Sequence, residues 1–152
     1  MTNKKNWRNL IIILLLSIGV PLLLICLELI NTDSIVALGA DFHYNMISMS
    51  AIIGGFLFTG ISILISAIDK ERIRRLWQNN YLDNLYRAAF VGMISNVLTI
   101  IAAVIYLCAN HNEKFGIILI NAEFVTLVVG LVFFVWSIKH LIFIISRMKD
   151  NK

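Results

Sequence analysis

MISMSAIIGGFLFTGISILISAI, residues 46–68, is a run of 23 residues without a charged side chain. At about 1.5 Å per helical residue it reaches across a hydrocarbon core about 30 Å thick, so the stretch reads as a membrane-spanning helix and sets the fold class of the chain. Ser48, Ala51, Gly55, Thr59, Ser62 and Ser66 follow one another at steps of three or four. A helix gathers them into one small, weakly polar stripe that a second helix can approach closely. Ile53, Phe56, Leu57, Phe58, Ile63 and Leu64 occupy the remaining faces, where they suit lipid or a bulky neighbour. The partner of the stripe is either another helix of the same chain or a helix of a second copy. Its continuity along the whole span is the property of a subunit interface or pore wall, while an internal contact would need only part of it.

Three further apolar runs flank this one, at about residues 10–30, 88–109 and 115–138. The 152-residue chain is 59% hydrophobic and only 14% charged, with a mean hydropathy of +0.85. A soluble domain is nearer 45 to 50% apolar and about 25% charged, so composition places this chain in a membrane and excludes a soluble globular class. The expected fold is all-α: one integral membrane domain, a four-helix up-down bundle with short loops and both termini cytoplasmic. The first run follows Lys4, Lys5, Trp7 and Arg8, as a secretory signal peptide would. Its length of about twenty residues and the lack of a small-x-small cleavage site argue for a retained span. Pro21 lies mid-run and removes a backbone donor, which predicts a bend near Ser17.

Charge placement fixes the expected orientation. Twelve of the thirteen Lys and Arg residues lie in the N-terminal segment, the loop of residues 69–87 or the C-terminal tail, and Lys114 alone lies in the other two loops. Positive charge collects on the cytoplasmic side, so those three regions are placed there, in a cell inner membrane. Trp7, Trp77, Trp136, Tyr81 and Tyr86 fall near the inner boundary, Tyr44 and Tyr106 near the outer one. The net charge of +4 therefore belongs to membrane boundaries, and no direct contact with nucleic acid is expected. Frequent Asn, Ile and Lys suggest a bacterial source. Cys26 and Cys108 fall on the same side and read as free thiols, although a bridge is geometrically conceivable.

Among intramembrane polar residues, Glu123 stands out. It lies about eight residues inside the fourth span, roughly 12 Å deep, level with Gly54 and Gly55 and with residues 99–103, and near Asn121 and Thr126. A carboxylate there must be protonated, paired or wet. It reads as a proton or cation relay, as part of a pore-lining ring in a symmetric oligomer, or as a neutral acid making one interhelical or intersubunit hydrogen bond. Asn96 in the third span marks a helix contact or, as the alternative, a substrate contact. Glu28, at the end of the first span, can snorkel.

The cytosolic side offers Lys70, Arg72, Arg74, Arg75 and Arg87 for anionic lipid or a cytosolic protein. Two helical pairs, Glu71 with Arg75 and Asp83 with Arg87, support a helical hairpin over residues 69–87. The tail of residues 139–149 reads as an amphipathic extension at the interface. Asp41, His43, His111 and Glu113 share the outer side but match no compact metal motif. No nucleophile elbow, phosphate loop or paired catalytic carboxylates occur in the sequence, so no enzyme, metal or cofactor is expected.

The small-residue run with its Phe-Leu-Phe-Thr-Gly centre, followed by Asp-Lys-Glu-Arg-Ile-Arg-Arg-Leu from Asp69 and Tyr-Leu-Asp-Asn-Leu from Tyr81, resembles small four-span proteins of bacterial anti-phage loci. The membrane subunit of the Kiwa system is the nearest type. The resemblance covers roughly residues 48–86 and implies a homo-oligomeric membrane subunit that senses disturbance of the envelope and works with a cytosolic effector. It assigns no functional residue. Small multidrug transporters also have four spans, but their essential glutamate lies in the first helix, where this chain has only Glu28 at its end. Three functions follow as expectations: an oligomeric membrane-sensing or anchoring subunit, a channel or proton-coupled transporter using Glu123, or an immunity protein against a membrane-active peptide.

Overall fold

The computed structural model describes residues 2–27, 32–66, 81–108 and 113–150, with side chains described over 7–27, 35–66, 82–108 and 114–146. Among these residues there are five helices and no strand: α1 (Thr2–Cys26), α2 (Thr32–Ala37), α3 (Ala40–Ser66), α4 (Tyr81–Cys108) and α5 (Glu113–Asp150). Four of them, all but α2, are long and apolar enough to cross a membrane. The chain is thus a helical, multi-pass membrane protein.

α4 and α5 form the central pair; α3 leans chiefly on α4, and α1 chiefly on α5. Small residues make the central contact close. Ala88, Ala89, Ala102 and Ala103 of α4 are buried, and a Cβ placed on Gly92 would come within 2.8 Å of Leu57 and 3.4 Å of Phe133. In lipid, where apolar burial drives helices together only weakly, such close approach is the main source of packing energy. Leu10 of α1 joins Ala88, Val129 and Phe133 in one cluster, and Ile53 and Leu57 of α3 meet Ala89 in another. A third joins Leu82 and Leu85 at the start of α4 to Ile144 near the end of α5, with Leu64 of α3 against it. At the other end of α3, His43 stacks on Tyr106 near the end of α4. These contacts make α4 antiparallel to both α3 and α5. The flanking helices contribute fewer buried positions: 17% of the most apolar stretch is buried in α1 and in α3, against 44% in α4 and 39% in α5.

Three helices extend beyond the apolar runs that mark them in the sequence. Residues 31–45, between the first two apolar runs, contain α2 and the first six residues of α3. Leu38 and Gly39 donate to the carbonyls of Ile35 and Val36. Gly39 then turns the chain at φ 61°, a conformation open to glycine at no steric cost, so α3 starts at Ala40 and not near residue 46. α4 begins at Tyr81, ahead of the apolar run, and so includes the Asp83–Arg87 pair at its entry. α5 runs unbroken through Lys139 and His140 for 38 residues, about 57 Å at 1.5 Å per residue. Its final turns are tied to the bundle by Ile144, only 3% exposed, which packs on Leu82 and Leu85. Pro21 is accommodated within α1, where Ser17 Oγ donates to the carbonyl of Leu14.

Candidate functional site

The inward face of α3 carries His43, Ser50, Ile53 and Leu57. The steps of seven from His43 to Ser50 to Leu57 amount to about two helical turns each, so one face carries all three. His43 therefore enters the bundle as the outermost member of a face whose apolar members hold α3 against α4.

At the end of the bundle where α3 begins and α4 ends, His43 Nδ1 lies 2.7 Å from Glu123 Oε2. Both side chains are sealed, at 2% and 0% exposure. The imidazole stacks on Tyr106, with ring centroids 3.9 Å apart and planes 25° apart, and Phe42 meets its edge at 5.3 Å. Three helices thus build the site: α3 supplies the base, α5 the acid and α4 the aromatic wall. Glu123 Oε1 is buried and has no hydrogen-bond partner among the described residues. Removing His43 from so buried a pair leaves the Glu123 carboxyl as an uncompensated polar group.

Hydroxyl groups continue inward from this pair. Thr126 Oγ1 donates within α5 to the carbonyls of Ala122 or Glu123 and accepts from Thr99 Oγ1 of α4 at 2.9 Å. One turn further, Asn96 Nδ2 donates to the carbonyl of Gly92, while Asn96 Oδ1 has no partner among the described residues. The amide fits because glycines face it from both sides. A Cβ on Gly54 would lie 3.6 Å from Asn96 Cβ, and one on Gly130 would lie 2.6 Å from Asn96 Nδ2. Ser50 Oγ is also buried and unpartnered among the described residues. Below Asn96 the polar side chains give way to Leu57, Ala89, Gly92 and the fully buried Phe133.

No family model, curated protein or solved structure matches the chain. Its function must be read from its own geometry.

The two residues of the pair were legible to different degrees. Glu123 is marked by its charge, but its level is corrected: it stands opposite His43 and Tyr106, while Gly54 lies opposite Asn96 and Gly130, about two turns away. The cause is the earlier start of α3, which moves the whole helix outward against α5. His43 entered the sequence reading only as a candidate metal ligand. The periodicity from Leu57 and Ile53 back through Ser50, extended past the supposed loop boundary, is the signal that finds it. Among the described residues no three His, Cys, Asp or Glu side chains gather as a metal site; the side chains of His111 and Glu113 lie outside the described residues, and Asp41 is exposed.

The other sequence candidates are dispersed. Asn121 is half-buried on α5. The stripe faces away from the chain's own bundle: Ser48, Ala51, Gly55, Thr59 and Ser66 are exposed and Ser62 is half-buried. Ser48, Ser62 and Ser66 spend their hydroxyl protons on carbonyls one turn back. The internal-partner reading of the stripe thus fails within one copy, because packing uses the neighbouring face that carries Gly54 in place of Gly55. Arg87 lies over the Trp7 ring, 5.1 Å from its centroid, and 3.8 Å from Asp83, so this cation ties α4 to α1. Lys70, Arg72, Arg74 and Arg75 lie outside the described residues, as do the Glu71 pair and Glu28. Cys26 and Cys108 are free and exposed.

Proposed function

We propose that the chain is a non-enzymatic, homo-oligomeric membrane subunit, an up-down four-span bundle in the inner membrane of a bacterium with both termini cytoplasmic. In this reading it senses the state of the membrane and recruits a cytosolic protein through its basic inner side, as the membrane component of a defence system. The observation that carries it is the outward aspect of α3. Ser48, Ala51, Gly55 and Thr59 form a close-packing surface that the chain's own helices leave uncovered, and nothing within 4 Å meets a Cβ on Gly55 or Gly60. In lipid such a surface gains packing energy when a second copy lies on it. The supporting charge pattern is the cluster of Lys70, Arg72, Arg74 and Arg75. Cysteine-free protein carrying one cysteine at Ala51 is to be crosslinked in native membranes, with masses measured after extraction in mild detergent. Dimers or higher species, together with a co-purifying protein lost when Arg72, Arg74 and Arg75 are replaced together, support the reading. Monomer alone in both measurements overturns it.

A channel or proton-coupled transporter using Glu123 is the second reading, and the His43–Glu123 contact favours it. Against it stands the apolar plug of Leu57, Ala89 and Phe133 below Asn96, which interrupts the polar seam within one copy. Reconstituted liposomes decide between the two. Proton or cation flux that disappears in Glu123→Gln establishes transport; equal leak in both proteins rejects it.

A further inference from the structure

We infer that a groove between α3 and α5, in the half of the bundle where α3 ends and α4 begins, holds one acyl chain of an anionic phospholipid. The headgroup is drawn there by Lys70, Arg72, Arg74 and Arg75, which follow α3 in the sequence. This goes beyond the oligomeric reading and does not rest on it.

α3 and α5 run parallel, since α4 is antiparallel to both, and each leans more on α4 than on the other. The space left between them is a groove of about 400 Å³. Phe56, Gly60, Ile61 and Leu64 form one wall, and Phe134, Ile138 and Leu141 the other. Leu57, Leu85 and Ala89 make the floor, and because they belong to two buried clusters the floor is closed. Gly60 gives the groove its depth, for a Cβ there would meet nothing within 4 Å. Ser137 is the one polar side chain among the described lining residues, and its hydroxyl donates to the carbonyl of Phe133. Such a lining suits hydrocarbon and offers nothing to a ligand that needs hydrogen bonds.

Size and depth select the occupant. From Phe56 to Leu64 the groove follows α3 for about 12 Å, so its mean cross-section is roughly 30 Å². A helix with its side chains is about 10 to 12 Å across and needs roughly 80 Å² or more. A second copy can lie over the groove but cannot fill it, whereas a single chain of methylene groups can. Phe56 and Leu57 mark the middle of the charge-free run of residues 46–68, and Leu64 lies near its end. The groove therefore spans one leaflet, whose hydrocarbon is about 15 Å thick, and lies along the direction in which acyl chains run. Left empty, its walls would forfeit their dispersion contacts, and water inside would find no partners. Charge selects the headgroup. Lys70 follows Ser66, the last described residue of α3, by four positions, which chain length alone keeps within about 14 Å. Residues 69–75 hold Lys70, Arg72, Arg74 and Arg75 against Asp69 and Glu71, a net positive stretch that attracts an anionic headgroup.

The test uses the full chain in phosphatidylcholine vesicles at low protein density, with no cytosolic protein present. A trace of phosphatidylglycerol or of phosphatidylcholine, each with a diazirine on one acyl chain, is photolysed and the adducts are mapped by mass spectrometry. The phosphatidylglycerol probe is expected to label residues 56–64 and 134–141 several-fold more than the exposed Leu15 and Leu16 of α1. It is also expected to label them about fivefold more than the phosphatidylcholine probe does, the effect of roughly one basic residue at a membrane surface. Gly60→Leu fills the groove and is expected to remove the excess while labelling of α1 stays unchanged. Joint replacement of Lys70, Arg72, Arg74 and Arg75 by Gln is expected to bring the two probes level. The wild-type comparison needs no substitution, so the test survives if a variant does not fold. Groove labelling no stronger than that of α1, or equal labelling by both probes in the wild type, overturns the proposal. So does an excess that survives Gly60→Leu, or a second copy crosslinked at residues 56–64 in place of lipid. The mass of the same sample reads its oligomeric state separately and bears on the oligomeric reading alone.

Discussion

His43 Nδ1 and Glu123 Oε2 are eighty residues apart in sequence and 2.7 Å apart in space, and their contact joins the start of α3 to the interior of α5. In a membrane the value of such a contact lies less in its own strength than in what its loss exposes. An interhelical hydrogen bond there contributes about 1 kcal/mol, whereas an unpaired buried partner costs several times as much.

His43→Leu leaves the Glu123 carboxyl buried without its partner, and Glu123→Leu takes the acid away from His43. Each is expected to lower stability by about 3 kcal/mol, while the double variant loses clearly less than the sum, with a coupling of about 1 to 3 kcal/mol. Reversible unfolding in mixed micelles measures all three. Strict additivity contradicts the pairing.

Gly130→Ala places a methyl group 2.6 Å from Asn96 Nδ2 and 3.0 Å from its Cγ. Overpacking of this kind costs about 1 to 3 kcal/mol. Combining it with Asn96→Ala, which empties the colliding volume, is expected to restore most of the loss. A melting temperature for Gly130→Ala equal to that of the wild type rules the close contact out.

Gly55→Leu meets nothing within 4 Å in the single chain. Thermal stability of the monomer is therefore expected to stay within about 0.5 kcal/mol of the wild type, the ordinary range for a substitution away from packed features. Self-association in the membrane is expected to fall, because the branched side chain holds a second helix away. Energy transfer between labelled copies in liposomes reads the second effect independently of the first.

Arg87 over the Trp7 ring holds α1 to α4, and Trp7 is half exposed. Trp7→Leu keeps an apolar side chain but removes the ring face, and a loss of about 0.5 to 1 kcal/mol is expected. Protection of residues 7–14 from hydrogen exchange should fall before that of α4 and α5. Unchanged protection would show that α1 is held by Leu10 and its neighbours alone.

Orientation is open to a direct check. In a cysteine-free background, Asp41→Cys, exposed in the first turn of α3, is expected to react with an impermeant maleimide on intact cells, and Arg74→Cys only after lysis. The reverse pattern would place the basic loop outside.

Charge-free length and composition determined the class of this protein from sequence alone. Residues 46–68 and the three runs around them are long enough to cross a bilayer, and a helix is the structure that satisfies their backbone within itself. Periodicity also identified the stripe from Ser48 to Ser66 as one surface of α3, because a single helix obeys a single repeat. The partner of each face was beyond such reading. Ser50 and Gly54 point inward and Gly55 outward by a rotation of one residue, which depends on how Asn96, Gly130 and Leu57 interlock across three helices. The pairing of His43 with Glu123 depends in turn on where α3 begins, and that is fixed by the turn at Gly39. Local chemistry decides which segments become helices; only packing decides how far each slides and turns against its neighbours, and here that sliding brings a base and an acid together.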